Sequence, residues 1–239
     1  MITVFVEGTC SAGAEVELPD GAAQHVRVRR AQAGESIRLV NGKGMVATGA
    51  LSSVGKRSVT AIVEGVESVA RPCELIALVP VADRDRMLWA AEKCVELQVT
   101  RWQPVLFERS KSVSPRGEGE KFAAKVRARM ESALEQSGGA WIAEVNSELA
   151  AADAWKEVRA ASRFLLQRDA KPVARAKADG AVAFAVGPEG GFEKHEIEDA
   201  LRHGWLSVSL SPSTLRFETA IVAAAAVVRA MQLKDGGGV

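Results

Sequence analysis

Gly187-Pro188-Glu189-Gly190-Gly191-Phe192 is the stretch on which the reading of this chain turns. It follows a small apolar run, Ala181-Val182-Ala183-Phe184-Ala185-Val186, and precedes the charged, periodic Glu193-Lys194-His195-Glu196-Ile197-Glu198-Asp199-Ala200-Leu201. That order predicts a buried strand, a glycine loop and an amphipathic helix, and α/β sheets place ligands in the crevice beyond the carboxyl ends of their strands. The glycines match neither G-x-G-x-x-G nor G-x-x-x-x-G-K-[ST]. Pro188 removes an amide donor, and Glu189 sets a negative charge where a phosphate cradle needs donors. The loop therefore suits a ligand that is uncharged or cationic at this point, such as an adenosine or a sulfonium. A tight turn that merely ends a core strand is the plainer alternative.

A second unusual run lies downstream, Leu210-Ser211-Pro212-Ser213-Thr214-Leu215-Arg216-Phe217-Glu218-Thr219-Ala220. It too follows a strand-like segment, Trp205–Leu210, and leads into Ile221–Val228, which is apolar on every side and so reads as a buried helix. Two strand–loop–helix units thus stand back to back, with their loops at one sheet edge.

Upstream, short β-branched segments separated by glycines (Ile2–Glu7, Ser36–Asn41, Met45–Leu51, Ser58–Val66) predict a small β-barrel over residues 1–70. Asn41-Gly42-Lys43-Gly44 supplies the positive φ that a hairpin turn requires. After a boundary near Ser68–Pro72 the texture becomes strands alternating with long helices. Glu74–Val79, Trp141–Val145 and Phe164–Gln167 read as strands, and Asp85–Leu97 and Glu118–Ser137 as helices. That alternation makes residues 71–239 an α/β domain with a parallel sheet flanked by helices.

The 239 residues carry a net charge of only +1, which excludes a globally polybasic chain. Three scattered cysteines (Cys10, Cys73, Cys94) offer neither a disulfide framework nor metal-ligand spacing, as in a reducing compartment. No basic-then-apolar leader opens the sequence and no 18-residue apolar run exists, so a cytoplasmic protein without a membrane partner is expected. Charge is uneven, however. Residues 101–129 hold eight Lys or Arg, among them Arg109 and Lys111, against three acids. Such a segment suits a polyanionic partner, or is a solvated helix face. Arg27, Arg29 and Arg30 read either as RNA contacts or as solvent-facing strand residues.

Taken together, the two C-terminal runs resemble the signature of the ribosomal RNA uracil-N3 methyltransferases of the RsmE type, in the SPOUT class of knotted enzymes. Further matches fall in the same order. They are His25-Val26-Arg27-Val28-Arg29-Arg30, Gly34-Glu35, Asn41-Gly42-Lys43-Gly44, Lys93-Cys94-Val95-Glu96-Leu97-Gln98-Val99, Glu108-Arg109-Ser110 and Glu135-Gln136-Ser137. The sequence departs from the family at Ser211-Pro212-Ser213, where Gly-Pro-Arg is usual, at Gln98, where glycine is, at Gly139, where arginine is common, and at Phe217, where a smaller residue is usual.

The resemblance implies a C-terminal trefoil knot, an N-terminal PUA-like barrel and a homodimer. It implies S-adenosylmethionine as methyl donor without a metal, and small-subunit ribosomal RNA, free or in the assembled subunit, as substrate. A related enzyme acting on another RNA, or an RNA-binding protein without catalysis, are the alternatives. Carried onto this chain, the cofactor site comprises Leu166, Gly187, Pro188, Glu189, Gly190, Gly191, Leu210, Ser211 and Leu215. RNA contacts fall to His25, Arg27, Arg29, Arg30, Arg109 and Lys111. Uracil N3 must lose a proton before it can accept a methyl group, which calls for a base or for a charge that stabilises the anion. Arg216 is the candidate charge and Glu218 the candidate base, with a purely structural Arg216–Glu218 ion pair as the alternative.

Overall fold

A computed structural model of the chain describes residues 1–112, 116–178 and 180–235, with the side chains of 111, 112, 234 and 235 outside the description. The chain divides into two compact units, Met1–Arg71 with Glu131–Ile142, and Pro72–Met130 with Ala143–Val239.

The first unit holds β1 (Ile2–Phe5), β2 (Glu15–Glu17), α1 (Asp20–Val28), β3 (Ser36–Val40), β4 (Met45–Val54) and β5 (Val59–Ser68). Their order across the sheet is β1-β3-β4-β5-β2. β1 runs parallel to β3 and the other pairs are antiparallel. The alternating apolar residues of these strands form one core, with Val4, Ile37, Leu39, Leu51, Val59 and Val63 buried. The β3–β4 hairpin forms at the expected turn. Asn41 Oδ1 accepts from the amides of Lys43 (2.9 Å) and Met45 (3.1 Å), while Gly42 and Gly44 take φ of 67° and 93°. A side chain at Gly44 would meet the Trp141 ring at 2.5 Å, so the glycine serves close packing as well as conformation.

The mixed sheet is in keeping with the expected PUA-like unit, and one expectation is corrected here. The segment around His25–Arg30 is not a strand. Ala23 and Val26, three apart, share the buried face of α1, and Arg29 and Arg30 follow its end.

The second unit contains β6 (Leu75–Pro80), α2 (Arg84–Glu96), β7 (Arg101–Leu106), α3 (Glu120–Ser137, whose last residues belong to the first unit), β8 (Glu144–Val145), β9 (Leu149–Ala150), α4 (Ala151–Glu157), β10 (Ser162–Pro172), β11 (Val182–Ala185), α5 (Lys194–Arg202), β12 (Leu206–Ser209) and α6 (Phe217–Asp235). The sheet order is β12-β10-β11-β6-β7-β8, with β9 also on β7, and every pair is parallel. β6 and β11 are buried along their whole length, as parallel strands covered on both faces must be. The strand expected over Trp141–Val145 shrinks to Glu144–Val145, because Trp141 leaves for an isolated bridge with Lys43 in the first unit.

Asp83 caps α2 by accepting from the Arg86 amide at 3.0 Å, a bond of a kind that stabilises a helix by about 1 kcal/mol. α6 returns from the β12 edge to pack on β6 and α2. Arg229 of α6 is buried and donates to the Leu97 and Gln98 carbonyls just past the end of α2 and to that of Cys73. Burial pushes its guanidinium below the ordinary arginine value, and these carbonyls satisfy its donors.

Candidate cofactor and active site

The carboxyl ends of β10, β11 and β12 open into one cavity of about 510 Å3, a size usual for small-molecule sites. Its wall includes Leu166 and Gln167 from β10, Val186–Phe192 from the glycine loop, and Leu210, Ser211, Ser213, Thr214 and Leu215 from the loop after β12. Every residue expected at the cofactor site is in this lining: Leu166, Gly187, Pro188, Glu189, Gly190, Gly191, Leu210, Ser211 and Leu215.

The glycine loop is held from both sides. Gly191 takes φ of 75° and its amide donates to the Pro188 carbonyl at 2.7 Å, closing a tight turn. Phe192 packs edge-on against Phe107 (5.0 Å between ring centres) and against Trp155, itself in contact with Trp205. Two arginines clamp the loop. Arg86 pairs with Glu189, and Arg109 donates to the Gly190 carbonyl and, at 2.8 Å, to Glu193. The hydrogen bond from Arg109 holds the Glu193 carboxyl below its ordinary value. A Cβ at Gly190 would sit 2.9 Å from Arg109 Cδ, and one at Gly187 would lie 3.2 Å from the Phe192 ring.

The N-terminus of α5 behind the loop is filled by the protein's own acids. Glu193 and Glu196 form a reciprocal capping box, and Glu196 also accepts from the Glu108 amide at 2.9 Å. A helix start so occupied is not a phosphate site. That agrees with a ligand which is neutral or cationic at this point.

The other expected residues are placed differently. Arg216 is exposed, and Glu218 is half-buried in the first turn of α6, with one carboxylate oxygen sequestered and without a partner. The cavity lining takes Leu215 and Phe217 but neither of these two, and among the described residues no ion pair joins them. Arg109 is a wall and clamp of the cavity, an assignment that its setting in a basic segment did not reveal. The side chain of Lys111 lies outside the described residues. In the first unit His25, Arg29 and Arg30 are exposed on α1 and just beyond it, and Arg27 donates to the Gly55 carbonyl at 2.9 Å.

Arg86, Arg168 and Asp169 line or brace the site without having been singled out in the sequence. Arg86 is an unmarked helix residue 103 positions from Glu189, and only the fold joins them.

A profile of the RNA methyltransferase domain matches residues 69–229, and one of the RNA methyltransferase PUA domain matches residues 18–64. The chain therefore belongs to the RNA methyltransferase family. Among its relatives, ribosomal RNA small subunit methyltransferase E of Aquifex aeolicus is 28% identical over 218 residues, covering 88% of this chain and 92% of that protein. The enzyme of the same name from Buchnera aphidicola is 42% identical over 55 residues, only 23% of this chain and 21% of that protein. The structure of ribosomal RNA small subunit methyltransferase E from Neisseria gonorrhoeae, bound to S-adenosyl methionine, is 29% identical and superposes with a TM-score of 0.87 over 97% of this chain and 98% of that one.

Proposed function

We propose that the protein is an S-adenosylmethionine-dependent methyltransferase acting on N3 of a uridine in small-subunit ribosomal RNA. The observation that carries this reading is the single cavity formed by all nine expected cofactor residues in a chain of the RNA methyltransferase family. The protein's own groups fit such a cofactor. Leu166, Val186 and Leu215 offer apolar surface to an adenine, and the acids at the start of α5 leave no place for a phosphate. The amide nitrogen of Gln167 is buried in the wall without a partner, a donor in want of an acceptor.

When bound, the cofactor supplies an electrophilic methyl group on a sulfonium. The glycine loop, closed by Arg86 and Arg109, fixes its position, and transfer between two held substrates gains most from positioning. Arg216 supplies positive charge to the substrate at the lip of the cavity, and Glu218 orders the first turn of the helix behind it. His25, Arg27, Arg29 and Arg30 bind the RNA backbone with Lys111, while Arg109 serves the cofactor loop instead.

The reading includes the knot, the homodimer and a cytoplasmic place of action. The path of α6, back from the β12 edge across β6 and α2, supports a C-terminal segment threaded through the fold. For the dimer, α6 buries one face through Ile221, Ala224, Ala225 and Val228 but leaves Val222, Ala223, Ala226 and Val227 partly or wholly uncovered, and Trp89 stands exposed on the neighbouring α2. Among the described residues no helix is long and apolar enough to cross a membrane.

Calorimetric titration with S-adenosylmethionine tests the cofactor assignment. A micromolar dissociation constant is expected, and no binding by the folded protein would refute it.

A further inference from the structure

Among the described residues, the parallel sheet is irregular only where β10 pairs with β12. Leu166 and Lys171 both stand opposite Val208 of β12, so Gln167, Arg168, Asp169 and Ala170 loop out between them. Bulges gather where a side chain must be aimed at a site, and this one puts Gln167, Arg168 and Asp169 into the cavity wall. Arg168 grips Asp169 with two hydrogen bonds, of 2.9 and 3.0 Å, and turns a further nitrogen toward Thr214 Oγ1 at 3.5 Å. The side chains are 54% and 81% exposed. An ion pair in water adds little to stability, so four looped-out residues are poorly explained by folding alone. Arg216 and Glu218 lie outside the cavity lining, whereas this pair lies within it.

A uracil edge presents an N–H donor, N3, between two carbonyl acceptors, O2 and O4. A cytosine edge presents an acceptor at N3 and a donor beside it. A carboxylate flanked by N–H donors matches the first pattern and repels the second. We propose that the β10 bulge reads the target base, with Asp169 accepting the N3 proton and Arg168 donating to a flanking carbonyl oxygen. This rests on the methyltransferase reading above and names the residues that make the base a uridine.

The proton balance is closed. The N3–H bond breaks toward the Asp169 carboxylate, and the pair left on N3, spread over O2 and O4 under the Arg168 charge, forms the new bond to the methyl carbon. The pair of the broken carbon–sulfur bond stays on sulfur. In the free protein the hydrogen bond from Arg168 keeps the Asp169 carboxyl below its ordinary value, and Arg168 itself is raised. Transfer of Arg168's donors to the base relieves that hold and makes Asp169 a better acceptor. The other charged groups lining the cavity, Arg109 and Glu189, are committed to Glu193 and Arg86.

The test uses the full-length protein and an RNA bearing the target region. Asp169→Asn should keep S-adenosylmethionine affinity within about twofold and still bind the RNA, because its amide oxygen can accept N3–H but cannot take the proton. Its single-turnover rate should fall by about 10²–10⁴, the usual worth of a positioned base. Arg168→Ala, which keeps the Asp169 carboxylate but loses the flanking donor, should reduce the preference for uridine over cytidine at the target position in equilibrium binding, and 5-fluorouridine there, with its more acidic N3, should restore part of its rate. An Asp169→Asn variant that methylates at the wild-type rate, or an Arg168→Ala variant with unchanged base preference, would overturn the assignment. Failure of the wild-type protein itself to methylate would instead strike the proposed function.

Discussion

Gln98 takes φ of 54° at the end of α2, a left-handed backbone that costs an L side chain about 1–2 kcal/mol. This is one of the positions where the family carries glycine. Its amide closes the helix end onto the Val95 carbonyl, and its own carbonyl accepts from Arg229, so the turn is fixed by backbone groups that any residue retains. Gln98→Gly should therefore stabilise the protein by about 0.5–1 kcal/mol, read as a higher midpoint in urea with an unchanged slope. The departure was legible in the sequence, but its cost was not, since φ is invisible there. Gly190 gives a prediction of the opposite sign. Gly190→Val would drive a side chain into Arg109 and break the clamp on the loop. S-adenosylmethionine affinity should drop at least tenfold in calorimetry while circular dichroism shows the fold intact.

The elements around the cavity were mostly written in the sequence as periodicity and turn chemistry. β11, the glycine loop and α5 stand where the run Ala181–Leu201 places them, because each is specified by its own residues. α1 was missed because Val26-Arg27-Val28-Arg29 alternates in a way that also fits a strand, while the apolar face that the helix buries is only Ala23 and Val26. The bulge in β10 was missed because register belongs to a pair of strands and not to either alone.

α6 shows the same limit. Its sequence is apolar all round, and only packing reveals that Val228 is fully buried while Ala226 is exposed and Val227 half-buried. Val228→Glu would thus unfold the core and say nothing about assembly. Val227→Glu should leave a folded monomer, seen by light scattering, whereas a wild-type chain already at single-chain mass would remove the dimer. The aromatic cluster makes a parallel claim. Phe192→Ala deletes the ring that ties the glycine loop to Phe107 and Trp155, and should cost about 2–4 kcal/mol in unfolding experiments along with cofactor affinity.

On the proposed function, the first unit contributes RNA contacts, and the second holds the cofactor and meets the target base. The net charge of +1 means that RNA affinity must come from local groups. Arg29 and Arg30 are exposed on the first unit, and their joint replacement by alanine should lower the slope of log affinity against log salt by up to about two while S-adenosylmethionine binding is untouched. Whether these parts together methylate N3 of a uridine in small-subunit ribosomal RNA is decided by mass spectrometry of nucleosides from purified small-subunit RNA. Cells with and without the gene would be compared, and the RNA lacking the modification then incubated with pure protein and S-adenosylmethionine. N3-methyluridine should be missing without the gene and appear in the reaction with wild-type protein. An unchanged N3-methyluridine content in the cells, with none formed in the reaction, would contradict the account.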